Sequence, residues 1–364
     1  MEQRDVVVVG GGPAGCAAAF ESARLGIGQV LLLEKAQKGR VKVCGGGLSP
    51  RARRVLKGLG LWEEVEAAAY PIRGLRLQGP SGRVVTLQGA EAASVLPRSR
   101  LDALLADAAA RAGAEVRFET PVSSLVFEDG RVVGVETARG TIRARVVIVA
   151  IGATGTLPPA PQNGALLHAC MAWYRGVPFE PGILEMVYAP DLLPHYGWLF
   201  PEREDLVNIG ICVYASRLRG RSLRDLFDRF LAVFGDRLAN ATREGRIHGH
   251  PIRACTRIEH RAPPGVLVAG ERLGLVNVAT GEGISYAIES GVLAARAASR
   301  FLARERSWDT VQAEYEESLR RAFRVSFEVG RLFTHVGPGL LDAVTFLGGL
   351  AAVRRLAGRG LARL

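Results

Sequence analysis

The sequence predicts an α/β protein: a parallel-sheet, dinucleotide-binding lobe, a second lobe of mainly antiparallel β-sheet, and a helical C-terminal segment. Three observations predict it. An apolar run over residues 5–9 leads into Gly10-Gly11-Gly12-Pro13-Ala14-Gly15 and a small-residue helix, and a second apolar run closes a βαβ unit. Residues 156–261 are richer in proline and aromatics, with weakly alternating runs such as 206–213. Residues 308–364 carry a helical pattern interrupted at Gly337-Pro338-Gly339.

Each element follows from its residues. Residues 5–9 read as a buried parallel strand, because an apolar run bounded by glycines suits a sheet covered on both faces. Gly10 allows the tight turn, Gly12 lets backbone approach a pyrophosphate, and Gly15 packs helix on strand. The helix over 16–25, entered through Pro13 and Ala14, presents unpaired N–H groups and a positive dipole end to the phosphates. The strand over 29–34 ends at Glu34, beside Lys35, where a carboxylate accepts from a ribose 2′-hydroxyl and repels a 2′-phosphate. Together these residues form a Rossmann-like unit.

An amphipathic helix over 98–112 (Leu101, Leu104, Leu105, Ala108, Ala112) leads to a strand over 115–118. Period-two stretches over 122–127 and 131–137 form a hairpin turning at Asp129-Gly130. Residues 146–150 are a buried strand ending at Gly152, and a strand over 266–269 with a helix over 284–298 returns to the first lobe.

Composition removes several classes. The chain has 364 residues, 48% hydrophobic and 23% charged, which excludes disorder and suits two lobes. No apolar run approaches the ~18 residues of a membrane span, and the N-terminus lacks a signal-peptide layout. Five scattered cysteines (16, 44, 170, 212, 255) without a CxxC pair argue against a disulfide framework or structural zinc, so a reducing cytoplasm is expected. His248-x-His250 invites a metal reading, but no third ligand lies near in sequence, and no metal is expected. The net charge is +11, and four lysines among 47 basic residues leave 43 arginines. These are spread along the chain rather than gathered into a nucleic-acid motif, so no nucleic-acid partner is expected.

The first glycine motif alone does not choose between NAD and FAD. The choice comes from residues 266–291, where a strand ends in Gly270-Glu271 and a glycine turn, Gly281-Glu282-Gly283, opens a helix at Ile284. This matches the second flavin-contacting segment of FAD enzymes: the acid binds a ribityl hydroxyl, and the helix dipole stabilises negative charge on reduced flavin.

With Cys44-Gly45-Gly46-Gly47-Leu48-Ser49, Arg98-x-x-Leu101-Asp102 and Tyr196-x-Trp198-x-Phe200-Pro201, the sequence resembles the geranylgeranyl reductase family, within the flavoproteins of p-hydroxybenzoate hydroxylase fold. The resemblance runs from residue 5 to about 300. It implies an FAD-binding domain over 1–75, 95–155 and 262–300 and a substrate domain over 76–94 and 156–261; residues 301–364 match the family only loosely and are expected, from their own pattern, to form a C-terminal helical segment. By this resemblance Ala14, Glu34, Cys44, Gly45, Gly47, Arg98, Val122, Glu271, Gly283 and Ile284 contact FAD, and Tyr196, Trp198, Phe200 and Pro201 line the substrate cavity. Glu271 stands where Asp is usual, and Val278 replaces a frequent proline. Ala150-Ile151-Gly152 occupies the place of an Asp-Gly pair of the hydroxylases, which puts direct NADPH use in doubt.

The expected activity is saturation of carbon–carbon double bonds in a polyprenyl chain on a lipid, diphosphate or quinone. An isolated trisubstituted alkene accepts hydride poorly, so one carbon must be protonated as hydride reaches the other, in a water-poor cavity. Cys44, or a water near it, is the expected acid. The electron donor is external, NADPH or a ferredoxin-type carrier. Two alternatives stay open: an oxygen-using monooxygenase or halogenase, and an electron-relay flavoprotein acting on quinone. Loss of the Asp-Gly pair argues against the hydroxylases, and a halogenase would want a lysine near the cavity, whereas every lysine precedes residue 58.

The tail adds a surface. Leu350, Val353, Ala357, Leu361 and Leu364 share one helical face, opposite Arg355, Arg359 and Arg363. From Ser318 onward eight arginines face only Glu328 and Asp342, so the tail holds six of the eleven net charges. Docking on an anionic membrane surface is expected, with two alternatives left open: the same stripe capping the substrate lobe or binding a second subunit.

Overall fold

The computed structural model describes residues 2–155, 157, 164–255, 258–259, 262–333, 339 and 342. β1 (Glu2–Val9) exceeds the expected 5–9 because Glu2, Gln3 and Arg4 also pair, in parallel, with Ile142, Arg143 and Ala144 of a later strand. α1 (Pro13–Arg24) starts earlier than expected, since the fixed φ of proline suits the first helical position. β2 (Val30–Leu33) lies parallel to β1 and is wholly buried. The short β3 (Gly47–Leu48) precedes α2 (Pro50–Gly58), where the Ser49 hydroxyl caps the helix by accepting from Ala52 N–H, and α3 (Trp62–Ala68) follows.

β4 (Tyr70–Gln78) and β5 (Val84–Val95) form an antiparallel hairpin within a second sheet. β3 already pairs β5 in that sheet, and the sheet's longer strands begin at Tyr70, ahead of the boundary expected at 75. α4 (Arg98–Arg111) and β6 (Glu115–Arg117) return to the first sheet. β7 (Val122–Glu128) and β8 (Arg131–Thr137) make the expected hairpin, with Asp129 at φ 48° and Gly130 at φ 75°, as a mirror-image two-residue turn requires. β9 (Gly140–Val149) then runs beside β1.

The second lobe continues through β10 (Gly164–Arg175), β11 (Ile183–Val187), β12 (Gly197–Arg203), β13 (Leu206–Tyr214), α5 (Leu223–Leu231) and β14 (Thr242–Cys255). The chain returns through β15 (Val266–Val268), α6 (Ile284–Leu302) and α7 (Trp308–Phe333). The first sheet has the order β6-β2-β1-β9-β8-β7. On the edge away from β1, β9 pairs β8 antiparallel in its first half and β15 parallel at Val147, Ile148 and Val149. The second sheet has the order β14-β10-β13-β12-β11-β4-β5-β3, and β11 on β4 is its parallel pairing.

The first core fills the space around the parallel strands. α1 crosses α6 at Gly291, where a Cβ would lie 2.1 Å from the Ala14 carbonyl oxygen. Glu21, fully buried at that crossing, is paired with Arg24 at 2.7 Å and Arg296 at 2.9 Å. α7 is tied down by the Tyr315 hydroxyl, which donates to the Val268 carbonyl at 2.7 Å. In the second sheet side chains alternate between faces. Cys170, Ile209 and Ile211 pack under α5 with Phe227, while Met171, Trp198, Phe200 and Cys212 face the first lobe with Val276 and Val278.

α7 is described to Phe333, so the helical pattern expected to 364 is described only to that point, apart from Gly339 and Asp342. Asp342 accepts from the Ser81 backbone N–H at 3.1 Å and hydroxyl at 2.8 Å. The Leu350–Arg363 stripe lies outside the described residues. Among the described residues no helix is long and apolar enough to cross a membrane.

Candidate functional site

A cavity of about 470 Å³ opens between the two lobes at the carboxyl ends of β1 and β2. Two helices start at its wall. α1 has Gly12 as its cap and α6 has Gly283, and neither cap supplies a side-chain acceptor to the first N–H groups. Their orphan donors and positive dipole ends therefore face the cavity, where an anion satisfies them. The close approach that makes this possible depends on Gly10 and Gly15. Gly10 sits at φ 108°, and a Cβ on Gly15 would lie 1.8 Å from the Gly10 carbonyl oxygen.

Of the residues expected to hold the cofactor, Gly10, Gly12, Pro13, Ala14, Glu34, Lys35, Cys44, Arg98, Val122, Gly152, Glu271, Gly281, Gly283 and Ile284 line this cavity. Gly15, Gly45, Gly47 and Gly270 do not; they sit behind its wall. Gly15 packs on Gly10, and a Cβ on Gly270 would lie 2.8 Å from Ala14 Cβ. Gly45 is pressed against the second lobe, 2.7 Å from Phe200 Cδ2 for a built Cβ.

Glu34 is buried, and its Oε2 accepts from Gly11 N–H at 2.6 Å while Oε1 accepts from Ala36 N–H at 2.9 Å. A carboxylate has about four lone-pair sites, so acceptor capacity for a ribose remains. Arg98 pairs with Asp102 through Nε at 2.8 Å and a second nitrogen at 2.9 Å. Burial disfavours the Arg98 charge, but the Asp102 carboxylate outweighs it and raises the pKa.

Three residues complete the wall: Arg40 and Lys42, which sequence reasoning missed, and His250, which it weighed only as a metal ligand. Arg40 Nε stands 3.4 Å from Glu34 and its guanidinium 3.6 Å from Asp102. Lys42 donates to His250 Nε2 at 2.7 Å and lies 3.6 Å from Glu271. Burial lowers the Lys42 pKa against the pull of Glu271, with Arg98 and Arg40 adding to the decrease. Burial and then the Lys42 charge push His250 down to about 4, so its ring is neutral and accepts. The histidine pair weighed for a metal thus has a lysine as the partner of His250. The position of Lys42 also corrects the argument against a halogenase, since a lysine before residue 58 does reach the cavity. Its ammonium is held by His250 and Glu271. The longer arm of Glu271 is accommodated, with Oε1 accepting from Arg253 N–H at 3.3 Å.

Tyr196, Trp198, Phe200 and Pro201, expected at a substrate cavity, do not line this cofactor cavity. Trp198 and Phe200 are buried in the face that backs the Cys44–Gly47 segment, with Trp198 Nε1 donating to Asn208 Oδ1 at 2.8 Å. Pro201 continues the same strand, β12. Tyr196 comes nearest, its hydroxyl donating to the Thr280 carbonyl beside the Gly281 turn.

Two glycine-capped helix ends, a buried acid at the end of β2 and a cationic rim fit a dinucleotide with a diphosphate. A family model described as "FAD binding domain" matches residues 3–160. The digeranylgeranylglycerophospholipid reductase 1 of Methanopyrus kandleri is 30% identical over 94% of this chain and 93% of that protein. The chain belongs to the geranylgeranyl reductase family. Its cofactor is FAD, and the protein is an FAD-dependent oxidoreductase. A menaquinone reductase of Mycolicibacterium smegmatis is 31% identical over 94% of this chain and 89% of that one. A solved structure described as geranylgeranyl bacteriochlorophyll reductase-like, from Thermoplasma acidophilum, superposes with a TM-score of 0.84 at 26% identity, covering 96% of this chain and 92% of the other. A myxobacterial chondrochloren halogenase, at 23% identity and a TM-score of 0.79 over 92% of this chain and 83% of its own, shares the fold.

Proposed function

We propose that this protein saturates carbon–carbon double bonds of a polyprenyl chain carried on a lipid, diphosphate or quinone. The reading is supported most by one juxtaposition: the Cys44 segment closes the cavity between the glycine-capped start of α6 and the aromatic face of the second sheet. The relatives named above are reductases of a digeranylgeranyl phospholipid and of menaquinone, which supports a prenylated substrate. FAD, when bound, supplies the hydride.

The chain's own residues bind, orient and protonate. Gly10, Gly12, Pro13, Ala14 and Glu34 hold the adenosine diphosphate half, with Lys35, Arg40, Lys42 and Arg98 as its counter-charges. Val122, Gly152, Glu271, Gly281, Gly283 and Ile284 hold the flavin half, supported from behind by Gly15, Gly45, Gly47 and Gly270. Cys44, whose sulfur accepts from Gly46 N–H at 3.4 Å, holds the proton for the alkene at Sγ. Val43, Ile252, Val276 and Ile284 make that end of the cavity apolar, which excludes water from a cationic transition state. Tyr196, Trp198, Phe200 and Pro201 set the shape of the wall from behind.

Ile151, in place of an acid, favours an external carrier of the ferredoxin type over direct NADPH. A basic amphipathic tail, with Val325, Val329 and Leu332 exposed on α7 beside Arg321 and Arg324, supports docking on an anionic membrane that holds the substrate. The deciding experiment is anaerobic reduction of the flavoprotein followed by prenyl diphosphates, prenyl lipids or menaquinone. Products heavier in steps of two hydrogens are expected. Turnover that requires oxygen, with no saturated product, overturns the reading.

A further inference from the structure

Behind the cavity wall the second sheet carries polar contacts that the proposed chemistry does not use. The Cys44 backbone N–H donates to the Met171 sulfur at 3.3 Å, and the Asn208 amide donates to the same sulfur at 3.1 Å. The Asn208 carbonyl accepts from Trp198 Nε1–H at 2.8 Å, and its amide also reaches Glu202 at 3.4 Å. Glu202 in turn accepts from Trp173 Nε1–H at 3.0 Å. Asn208 is wholly buried, beside the apolar cluster that Met171, Trp198 and Phe200 form on this sheet face. A thioether is a weak acceptor on three soft torsions. It holds a main-chain N–H in one place only if something holds the sulfur.

We propose that Asn208 and Met171 are positioning residues acting in series: Asn208, locked by Trp198 and Glu202, fixes the Met171 sulfur, and the sulfur fixes the Cys44 backbone and thiol against the cavity. The inference rests on the reading of Cys44 as the proton-holding group. Cys44 lies in a stretch without its own helix or strand, between β2 and β3, so its place is set by what it touches. Next to it, Gly45 is pressed on Phe200 and Trp198, so the same sheet face grips two consecutive residues.

The five cysteines supply the readout, because Cys44 is half-buried and the other four are buried. The FAD-loaded full chain is alkylated with iodoacetamide, with Cys44→Ser giving the background. Met171→Leu conserves volume and removes only the sulfur. It is expected to speed Cys44 alkylation about fivefold, equivalent to ~1 kcal/mol. Asn208→Ala is expected to do the same. The double variant should also give about fivefold, not about twenty-fivefold, because links in series are lost together. An unchanged rate in Met171→Leu, or effects that multiply in the double variant, overturns the proposal. If Asn208→Ala does not fold, the visible flavin spectrum of Met171→Leu serves as the second measurement. A shifted band with FAD retained is expected, and a spectrum and alkylation rate both identical to wild type overturn the relay. None of these readouts needs a prenyl substrate. Relay behaviour without alkene reduction would refute the proposed function and leave the positioning intact.

Discussion

Glu34→Gln separates the two tasks the buried carboxylate performs. In the folded chain its two oxygens each accept a backbone N–H, from Gly11 at 2.6 Å and from Ala36 at 2.9 Å, with Arg40 at 3.4 Å. The amide of glutamine has one acceptor oxygen, so one backbone donor faces an NH₂ group, and the charge is gone. A hydrogen bond to a charged acceptor contributes ~1.5–3 kcal/mol. Losing one is expected to lower the melting temperature by several degrees, at ~2–4 °C per kcal/mol for a chain somewhat smaller than this. Losing the ribose acceptor as well should weaken FAD by about 10- to 100-fold. The assay is flavin-fluorescence titration of the apoprotein alongside a thermal melt. Glu34→Arg, which sets a cation beside Arg40, should purify without flavin. A lowered melting temperature with FAD affinity within about twofold of wild type would refute the cofactor role and leave Glu34 as a brace of the Gly11 turn.

Burial, with both ring nitrogens unpartnered among the described residues, pushes His195 down to about 4 from 6.5. The unfolded chain therefore takes up a proton below pH 6.5 that the folded chain refuses until about pH 4, so this stability is present above 6.5 and lost as pH falls to 4. Urea midpoints at pH 7 and 4.5 should converge in His195→Phe relative to wild type, by up to ~3 kcal/mol. Equal acid sensitivity would place the loss elsewhere, His250 carrying the same sign. Trp198→Phe keeps most of the buried ring and removes the N–H to Asn208; FAD should stay bound while products shift toward partly reduced chains, and an unchanged product distribution would leave the aromatic element as core alone. Sedimentation with anionic vesicles should carry down the full chain more than a truncation ending at residue 338, and equal binding by both, or by neither, removes the membrane role.

Much of the first lobe was legible because its information is local. The valine run, the glycine turn and the alternating hairpin each carry their own period, and the observed strands fall within a few residues of the expected ones. The second sheet was legible only as β-rich. Its hairpin from Tyr70 begins inside what reads as the first lobe, since nothing in Tyr70–Gln78 says which sheet it will join. The places of Arg40, Lys42 and His250 in the cavity wall were missed for a related reason. Lys42 and His250 meet across 208 residues of sequence, and neither bears a local mark of the other. A cation two residues before Cys44, beside a cavity expected to hold a diphosphate, was the available signal.

The crossing of α1 and α6 at Gly291 has a consequence for how the protein is born. β1, β2 and α1 leave the ribosome first, but the surface of α1 that receives α6 stays open while β4–β14 are made. A nascent chain that has not yet released residues 284–302 owns one of the two helix ends that face the cavity, and half of a cofactor cradle. Contacts of such long sequence separation form late and slowly. Flavin capture is therefore expected only once the chain has been made through to α6.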